Sequence, residues 1–539
     1  MKIRQWSTAL VIAGVLAMTG CALNEDGSTN EATNGDTTLR IGTTTDVTNF
    51  NPFQTLSKTD NWVLNAMYPH LQRIDENAQK VPELADSYEY TDDGMTAVFT
   101  LRDDFVWSDG EPVTSEDVKF SAESIMQYHM SNVAAKLQWV TSIETPDPTT
   151  VEFHLSQPYA TFAEGISFWM PVAPEHIFAD AGDLTKFTND QEPGGWVGAG
   201  AYVLDSYTKG QRYVMKANPD YPYAPDGGAA VKTIEWVVYP DVNTMTLALR
   251  NGEIDLMAPP VTASAAESLE GDDNIGLEQV GSLGYADITY NVQKGALGDV
   301  AVREAISKTV DTDSIIATIL QGLGEPIVGP VSPIFPDYYD TGLEPYGFDP
   351  GAAKTMLQDA GYADADGDGM FDDLSFSMIC DGSNPNMTRV AEVVHGDAAK
   401  AGIDITIGCA ERNTFLAQQK GGEYDIILSE HAVYDNPMDQ LRSVYLSSNP
   451  GGINYNHVED PQLDALINDA AGTVDESARI PKVKAIADYV YDQALLQPLY
   501  VQDFNFAYRS DRFTGFVPSP SDLLGMVTGY SLSHVEPVS

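Results

Sequence analysis

The stretch DADGDGMFDD, Asp364 to Asp373, places carboxylates at alternate positions and then a glycine. That is how a chain folds hard oxygen ligands around Ca²⁺. In a calcium-loop register Asp364, Asp366 and Asp368 take the first, third and fifth places, Gly369 the sixth, Met370 offers its carbonyl at the seventh, and Asp372 reaches the ninth. The twelfth place, where a bidentate glutamate belongs, holds Ser375, so any affinity is expected near the weak extracellular range of about 10⁻⁴–10⁻³ M. A tight acidic turn between a helix ending at Gly361 and a strand beginning near Leu374 explains the same residues. Any Ca²⁺ bound here is expected to stiffen this turn, and no cofactor is required for function.

Other chemistry is sparse. Beyond Cys21 there are two cysteines, Cys380 and Cys409, each ending an apolar run, with a helical pattern between them. Parallel neighbouring strands would bring their ends together, so a disulfide and two buried thiols both fit. The chain holds no G-x-S-x-G elbow, no phosphate loop ending in G-K-[ST] and no H-E-x-x-H, and its eight histidines are scattered. Gly198-Ala199-Gly200 is too short for a dinucleotide turn. These absences favour a binding protein over an enzyme; a secreted hydrolase with an unrecognised nucleophile is the alternative from another class. A calcium-stabilised adhesin would repeat the acidic loop, and there is one copy.

The elements that must position these residues alternate along the chain. Val151, Phe153 and Leu155 alternate with Glu152 and His154, and Ala97, Phe99 and Leu101 recur at every second position, which is the period of a half-buried strand. Thr114 or Ser115 caps a helix whose Val118, Ala122, Ile125 and His129 share a face. Asp349 caps another, with Pro350 in its first turn and Gly361 closing its end. No internal repeat is present.

The opening MKIRQWSTALVIAGVLAMTGC has a positive start, an apolar run too short to span a bilayer, and small residues leading to Cys21. It reads as a lipoprotein signal peptide (1–20), with Met18 where the usual leucine stands, and Cys21 as the lipidation site. Ordinary signal cleavage is the alternative; either way the chain is expected to be exported, to the outer face of the cytoplasmic membrane or the periplasm. Residues 21–36 then form a polar tether. The remainder is too long for one core and has the composition of a folded α/β body. With 79 acidic against 29 basic residues the formal charge is −50. Nucleic acid and anionic lipid headgroups are thereby poor partners, no nucleic acid is expected, and contact with membranes is left to the lipid anchor.

Several segments, in order, resemble the family 5 extracellular solute-binding proteins of ABC importers, the peptide- and nickel-type, cluster C group. VPELADSYEYTDDGMTAVFTLRDDFVWSDGEPVTSEDVKFS resembles the family signature. WVGAGAYVLDSYTKGQRYVMKANPDYPYA is similar to its VGTGPY…NPDYW segment, with Ala201 and Pro222 as departures. PDVNTMTLALRNGEIDLM and the stretch from Tyr290 to Pro326 match two further segments. The resemblance implies an α/β, two-lobed periplasmic-binding-protein fold (type II, cluster C). Lobe one would be 37–283 plus 501–539 with an extra subdomain at about 61–199, and lobe two 284–500. Hinges would lie near Tyr285–Asn291 and Leu499–Asp503. It also implies a monomer that captures a solute, closes, and is recognised by permease subunits.

Peptide binders of this family hold the ligand ammonium with an aspartate in a W-x-A-D-Y-x-x-P segment. Here Ala432, Tyr434 and Pro437 fit, but Val433 stands at the aspartate position and Glu430 at the tryptophan position. Glu430 or Asp435 could substitute, since a carboxylate is all that the ion pair requires; both could equally belong to the acidic surface. The first loop, TTTDVTNFNPFQ, places Asp46, Asn49 and Asn51 where family members approach the cleft, although turn hydrogen bonds before Pro52 explain the asparagines. Tyr285, at the first crossing, and His431 complete the candidate set. A di- or oligopeptide is the expected solute. An oligosaccharide, for which NFNPF and Trp169 offer platforms, or a nickel- or haem-type ligand through His431, remain alternatives.

Overall fold

The alternation of apolar residues in Thr96–Leu101 and Thr150–Leu155 buries Ala97, Phe99, Leu101, Val151, Phe153 and Leu155, as half-buried strands require. With Ala85–Thr91 and Val140–Asp147 they form a four-stranded antiparallel sheet in the spatial order 85–91, 96–101, 150–155, 140–147. Helix Ser115–Tyr128 packs on it. Thr114 is its N-cap, its backbone N–H donating to Asp117 Oδ2 at 2.8 Å. Val118, Ala122 and Ile125 are buried as expected, whereas His129 is exposed because it is the left-handed C-cap, φ 52°. The turn that ends the helix rotates it off the apolar face.

The structure is a computed structural model that describes residues 37–538, apart from 56, 92–93, 131–132, 432–433 and 449–452. The expected leader, Cys21, the tether and Val433 lie outside the described residues. No helix among the described residues is long and apolar enough to cross a membrane.

A second, larger sheet of twelve strands among the described residues organises the two lobes. In its first half Thr38–Thr43 runs parallel to Thr233–Val238 and Leu256–Met257, and Arg212–Ala217 and Tyr202–Thr208 extend the edge antiparallel. In its second half Ser375–Cys380 lies parallel between Asp404–Ile407 and Ile426–Glu430, and Ala286–Tyr290 pairs with Ile426–Glu430 antiparallel. One fourteen-residue strand, Leu496–Arg509, joins the halves. Its start pairs with Ala286–Tyr290 and Gly324–Pro326, and its end pairs with Ile275–Gly281.

Each half has its own apolar core. The first is built around Leu39, Ile41, Trp107, Tyr202 and Trp236, the second around Ile288, Val302, Met378, Val390 and Leu428. A third cluster joins Ile74, Ala78 and Phe168 of the first lobe to Met438, Leu441 and Val483 of the second, so the lobes are in contact. Gly198 and Gly200, in the VGAGAY segment, lie against the end of helix Lys58–Met67, where a Cβ on either would collide with the carbonyls of Met67 or Ala66. This close approach explains the two glycines without any phosphate-binding role.

Helix Pro350–Asp359 is capped by Asp349, which accepts from Ala352 N–H at 2.8 Å, and Gly361 beyond its end has φ 98°. Ser375–Cys380 and Asp404–Ile407 are parallel neighbours, and Cys380 is joined to Cys409 by a disulfide.

Candidate functional site

Strand Ile426–Glu430 ends at the interface of the lobes, and helix Pro437–Tyr445 begins seven residues later, capped by Asn436 accepting from Asp439 N–H at 3.0 Å. The connection between them carries four candidates. They do not gather at one place.

Glu430 faces a cavity of about 640 Å³ between the lobes. From the second lobe Asn384, Ser429 and Glu430 line it; from the first, Lys58 and Asp522. Glu430 accepts from Asn384 Nδ2 at 3.0 Å. Burial and then the nearby Asp522 carboxylate push its pKa above the usual 4.5, against the opposing influence of Lys58 and the Asn384 bond. Lys58 is paired with Asp522, and Arg412, on the same cavity, with Asp381 at 2.9 Å.

Asp435 turns the other way. It pairs with Lys80 of the first lobe at 2.8 Å and accepts from the Trp169 indole at 2.7 Å. Burial alone would raise its pKa, but Lys80, then Lys136, and the bonds from Lys80 and Trp169 hold it below the usual 3.8. Asp439 receives Lys136 at 2.9 Å, Tyr159 at 3.0 Å and the Thr161 hydroxyl. Glu164 of the first lobe meets Arg479 at 3.2 Å and the Asn436 amide. Asp435 is therefore part of a network of ion pairs between the lobes, beside a second cavity of about 230 Å³ that it lines with Lys80 and Glu164.

His431 lines the cavity and places Nε2 3.2 Å from Asp287 Oδ1, with its ring centre 4.8 Å from that of Tyr434. Tyr285 is buried; its hydroxyl donates to the Pro330 carbonyl at 2.9 Å and accepts from Gln440 at 2.6 Å. Tyr285 and Tyr434, with ring centres 5.7 Å apart, belong to the apolar contact between the lobes.

The first-loop candidates are engaged internally. Asp46 accepts from Tyr207 OH at 3.0 Å, Gly210 N–H at 2.6 Å and Val47 N–H at 3.0 Å. Asn49 accepts from Asn51 N–H at 2.8 Å, and Asn51 is fully buried, donating to the carbonyls of Leu184 and Phe187 at 2.9 Å each. None of the three lines the cavity. Turn geometry and anchoring of the loop account for them.

Asp364, Asp366 and Asp368 each bring a carboxylate oxygen within 4.8 Å of the others. The turn also satisfies itself: Asp364 accepts from Gly367 N–H at 2.8 Å and Gly369 N–H at 3.0 Å, Asp368 from Met370 N–H at 2.8 Å, and Asp372 from Ala365 N–H at 3.1 Å. Ser375, at the twelfth place, gives its hydroxyl to Asp404 at 2.8 Å. The carboxylate chemistry suits a hard cation, but the backbone already holds the loop without one.

Lys58, Ser429, Asp522, Lys80, Glu164 and Arg479 were not singled out from sequence. No local signal marks them, because each finds its role across more than a hundred residues or across the cleft.

A two-lobed sheet joined by one long strand, with a cavity lined from both sides, is a ligand-capturing architecture. Residues 79–452 match the model of the bacterial extracellular solute-binding proteins, family 5 middle. The chain belongs to this family. It is 28% identical over 503 residues to Protein XP55 of Streptomyces lividans, covering 91% of this chain and 87% of that protein. It is 27% identical over 440 residues to the dipeptide-binding protein of Escherichia coli, covering 77% and 79%. Among solved structures, the ABC transporter substrate-binding protein CtaP of Listeria monocytogenes superposes with TM-score 0.80 at 23% identity, over 94% of this chain and 100% of that one. AppA of Bacillus subtilis, in complex with a nonapeptide, superposes with TM-score 0.74 at 22% identity, over 93% and 99%. The segment carrying Glu430 and Asp435 lies within the matched family region, and the polar contacts described above are this family member's own wiring of it.

Proposed function

We propose that the chain is the solute-capturing component of an ABC importer, binding a di- or oligopeptide between its lobes and presenting the closed form to membrane permease subunits. The observation that carries this is the cavity of about 640 Å³ shared by both lobes, whose walls hold the Lys58–Asp522 and Arg412–Asp381 pairs beside Glu430. Its size falls in the range of small-molecule sites. Charges of both signs complement a zwitterion, whereas Phe415, Tyr455 and Phe504 with the amides of Asn386, Gln419 and Gln502 on the same walls keep a neutral oligosaccharide as the second reading. A solute that touches both lobes binds the closed form better than the open one, and that difference alone shifts the equilibrium. No bond is made or broken. Export and an anchor at Cys21 complete the reading, keeping the protein near its permease at the outer face of the cytoplasmic membrane.

A thermal-shift screen tests it, with di- to pentapeptides, cello- and xylo-oligosaccharides and Ni²⁺ in parallel. A solute that binds the folded protein raises its midpoint. Stabilisation by oligosaccharides or Ni²⁺ and not by peptides would replace the solute class.

A further inference from the structure

Away from the cleft, the side of the four-stranded sheet opposite its core gathers three metal-ligating side chains. Glu144 lies on the edge strand Val140–Asp147 and Glu152 directly opposite it on Thr150–Leu155. His154 follows two residues later, on the same face. One carboxylate oxygen of each glutamate and a ring nitrogen of His154 all fall within 4.8 Å of one another. His154 Nε2 stands 3.7 Å from Glu144 Oε1 and 3.7 Å from Glu152 Oε2. That nitrogen is buried and has no hydrogen-bond partner among the described residues. None of the three residues lines either interlobe cavity.

We propose that Glu144, Glu152 and His154 bind one divalent transition-metal ion of the zinc class on the outer face of this sheet. The spacing carries the inference. At 3.7 Å the imidazole nitrogen is too far from either carboxylate for a hydrogen bond. Two donors at about 2.0–2.1 Å from one tetrahedral Zn²⁺ lie about 3.3–3.4 Å apart, so small side-chain movements complete the set. An imidazole beside two carboxylates favours such an ion over Ca²⁺ or Mg²⁺, which take oxygen donors. Water fills the remaining position.

Three features of the sheet suit this role. Like charges directly opposed weaken an antiparallel pair, and neither glutamate is paired with a lysine or arginine among the described residues. A cation between them turns that repulsion into attraction. His154 Nδ1 lies 3.1 Å from Thr96 Oγ1 on the neighbouring strand Thr96–Leu101. With the ring proton on Nδ1, this bond orients the imidazole and leaves the Nε2 lone pair to the ion. The edge strand, finally, is irregular between Val140 and Ser142 and again between Glu144 and Asp147. Such irregularities re-aim side chains, and the regular segment between them is the one that sets Glu144 against Glu152. The ion therefore ties the edge strand to its neighbour where the backbone ladder is interrupted.

The test uses the full chain, stripped with a chelator and titrated calorimetrically with Zn²⁺ alone. Uptake should saturate at one equivalent per chain, and Co²⁺ in its place should give visible absorption bands that Zn²⁺ abolishes. His154→Gln and Glu144→Gln should each weaken uptake roughly tenfold or more, with circular dichroism checking that both variants are folded. An excess of Ca²⁺ should leave the isotherm unchanged, as should Asp366→Asn with Asp368→Asn in the acidic turn of the second lobe. Uptake that does not saturate at one equivalent, or that persists undiminished in His154→Gln, overturns the site and identifies adventitious zinc on an acidic surface. Uptake lost in the turn variant instead overturns it by placing the ion in the second lobe. A Ni²⁺ shift in the solute screen that disappears in His154→Gln upholds the site and leaves the reading of the cleft intact.

Discussion

Glu430 and Asp435 lie five residues apart on one connection, and nothing in their immediate sequence says that they differ. Asp435 is met by Lys80 at 2.8 Å and Trp169 at 2.7 Å from the facing lobe, and its pKa is held below the usual carboxylate range, which favours its negative charge. Glu430 meets an amide and a second carboxylate, and its charge is disfavoured. One carboxylate is satisfied by the protein and fastens the lobes; the other is left to face the cavity. The difference teaches that in a chain with 79 acidic residues the informative property of an acid is its partner. A carboxylate whose partners come from the facing lobe stabilises the contact between the lobes.

The largest expected effect lies among the interlobe ion pairs. Arg479 is 1% exposed, and it donates to Glu164 across the lobes and to the carbonyls of Thr473 and Val474. Arg479→Met should destabilise the protein by about 3 kcal/mol, because it removes the cation from a half-buried carboxylate that keeps only Tyr88 and Asn436 and leaves two carbonyls without their donor. Glu164→Gln in the same chain should recover part of that loss, since the stranded charge is then gone. Denaturant unfolding of the single and double variants measures it; strictly additive losses would show that the two groups are not coupled.

Next is Asp435→Asn, which leaves the Lys80 ammonium without its carboxylate and should cost the closed form about 2 kcal/mol. The comparison makes a sharper demand than the magnitude. Solute affinity should fall by the same factor for free and N-acetylated peptides, because the interlobe pair acts on closure and not on the peptide's amino terminus. Glu430→Gln, on the cavity wall, should discriminate between them. If Asp435→Asn discriminated instead, the roles of the two carboxylates would be exchanged.

Acidification separates the two without mutation. Glu430, raised above 4.5, gains its proton first; Asp435, lowered below 3.8, gains it last. The stability that Asp435 contributes is fully present above its unfolded value and disappears only as pH falls through its depressed native value. The raised Glu430 pKa has the opposite sign: its ionised form is a cost at neutral pH, relieved by protonation or by a bound cation. Between the two values, affinity for a free-amine peptide should fall roughly tenfold while the scattering profile of the closed form persists. The groups near Glu430 in this titration are Asp522, Lys58 and His431. Loss of both properties at one pH would mean that the carboxylates share a single environment.

What the sequence made legible follows the range of the interaction. Alternation in Thr150–Leu155 and the Asp349 cap with Gly361 are signals within a few residues, and the strands and helix form where they indicate. The two cysteines closing neighbouring parallel strands are 29 residues apart, still within one strand–helix–strand unit, and they pair. The site is a different matter. Lys80 and Asp435 are 355 positions apart, and Glu430 and Asp522 are 92 apart; only the crossing of the chain between half-sheets brings them together. For Asn49 and Asn51 the sequence offered both a ligand and a turn role, because polar side chains in such a loop look alike; in the structure a backbone N–H and buried carbonyls engage them.

The smallest expected effect comes from a third acidic region, the turn Asp364–Asp372, which serves as the control for the other two. Its carboxylates have neither a cationic partner in the facing lobe nor a place on the cavity; they accept from their own backbone at 2.8–3.2 Å. Without a bidentate twelfth ligand, a dissociation constant of about 10⁻⁴–10⁻³ M at 5 mM Ca²⁺ corresponds to about 1–2 kcal/mol of stabilisation, removed by chelation. Because the turn precedes strand Ser375–Cys380 and lies outside the lining of the cavity, that increment should appear in the unfolding midpoint and be absent from the peptide isotherm. Asp366→Asn together with Asp368→Asn should abolish the calcium-dependent part and leave affinity unchanged. A chelator that weakened peptide binding would place this turn on the closure equilibrium, and the division between carboxylates facing the solute, the other lobe and their own backbone would no longer hold.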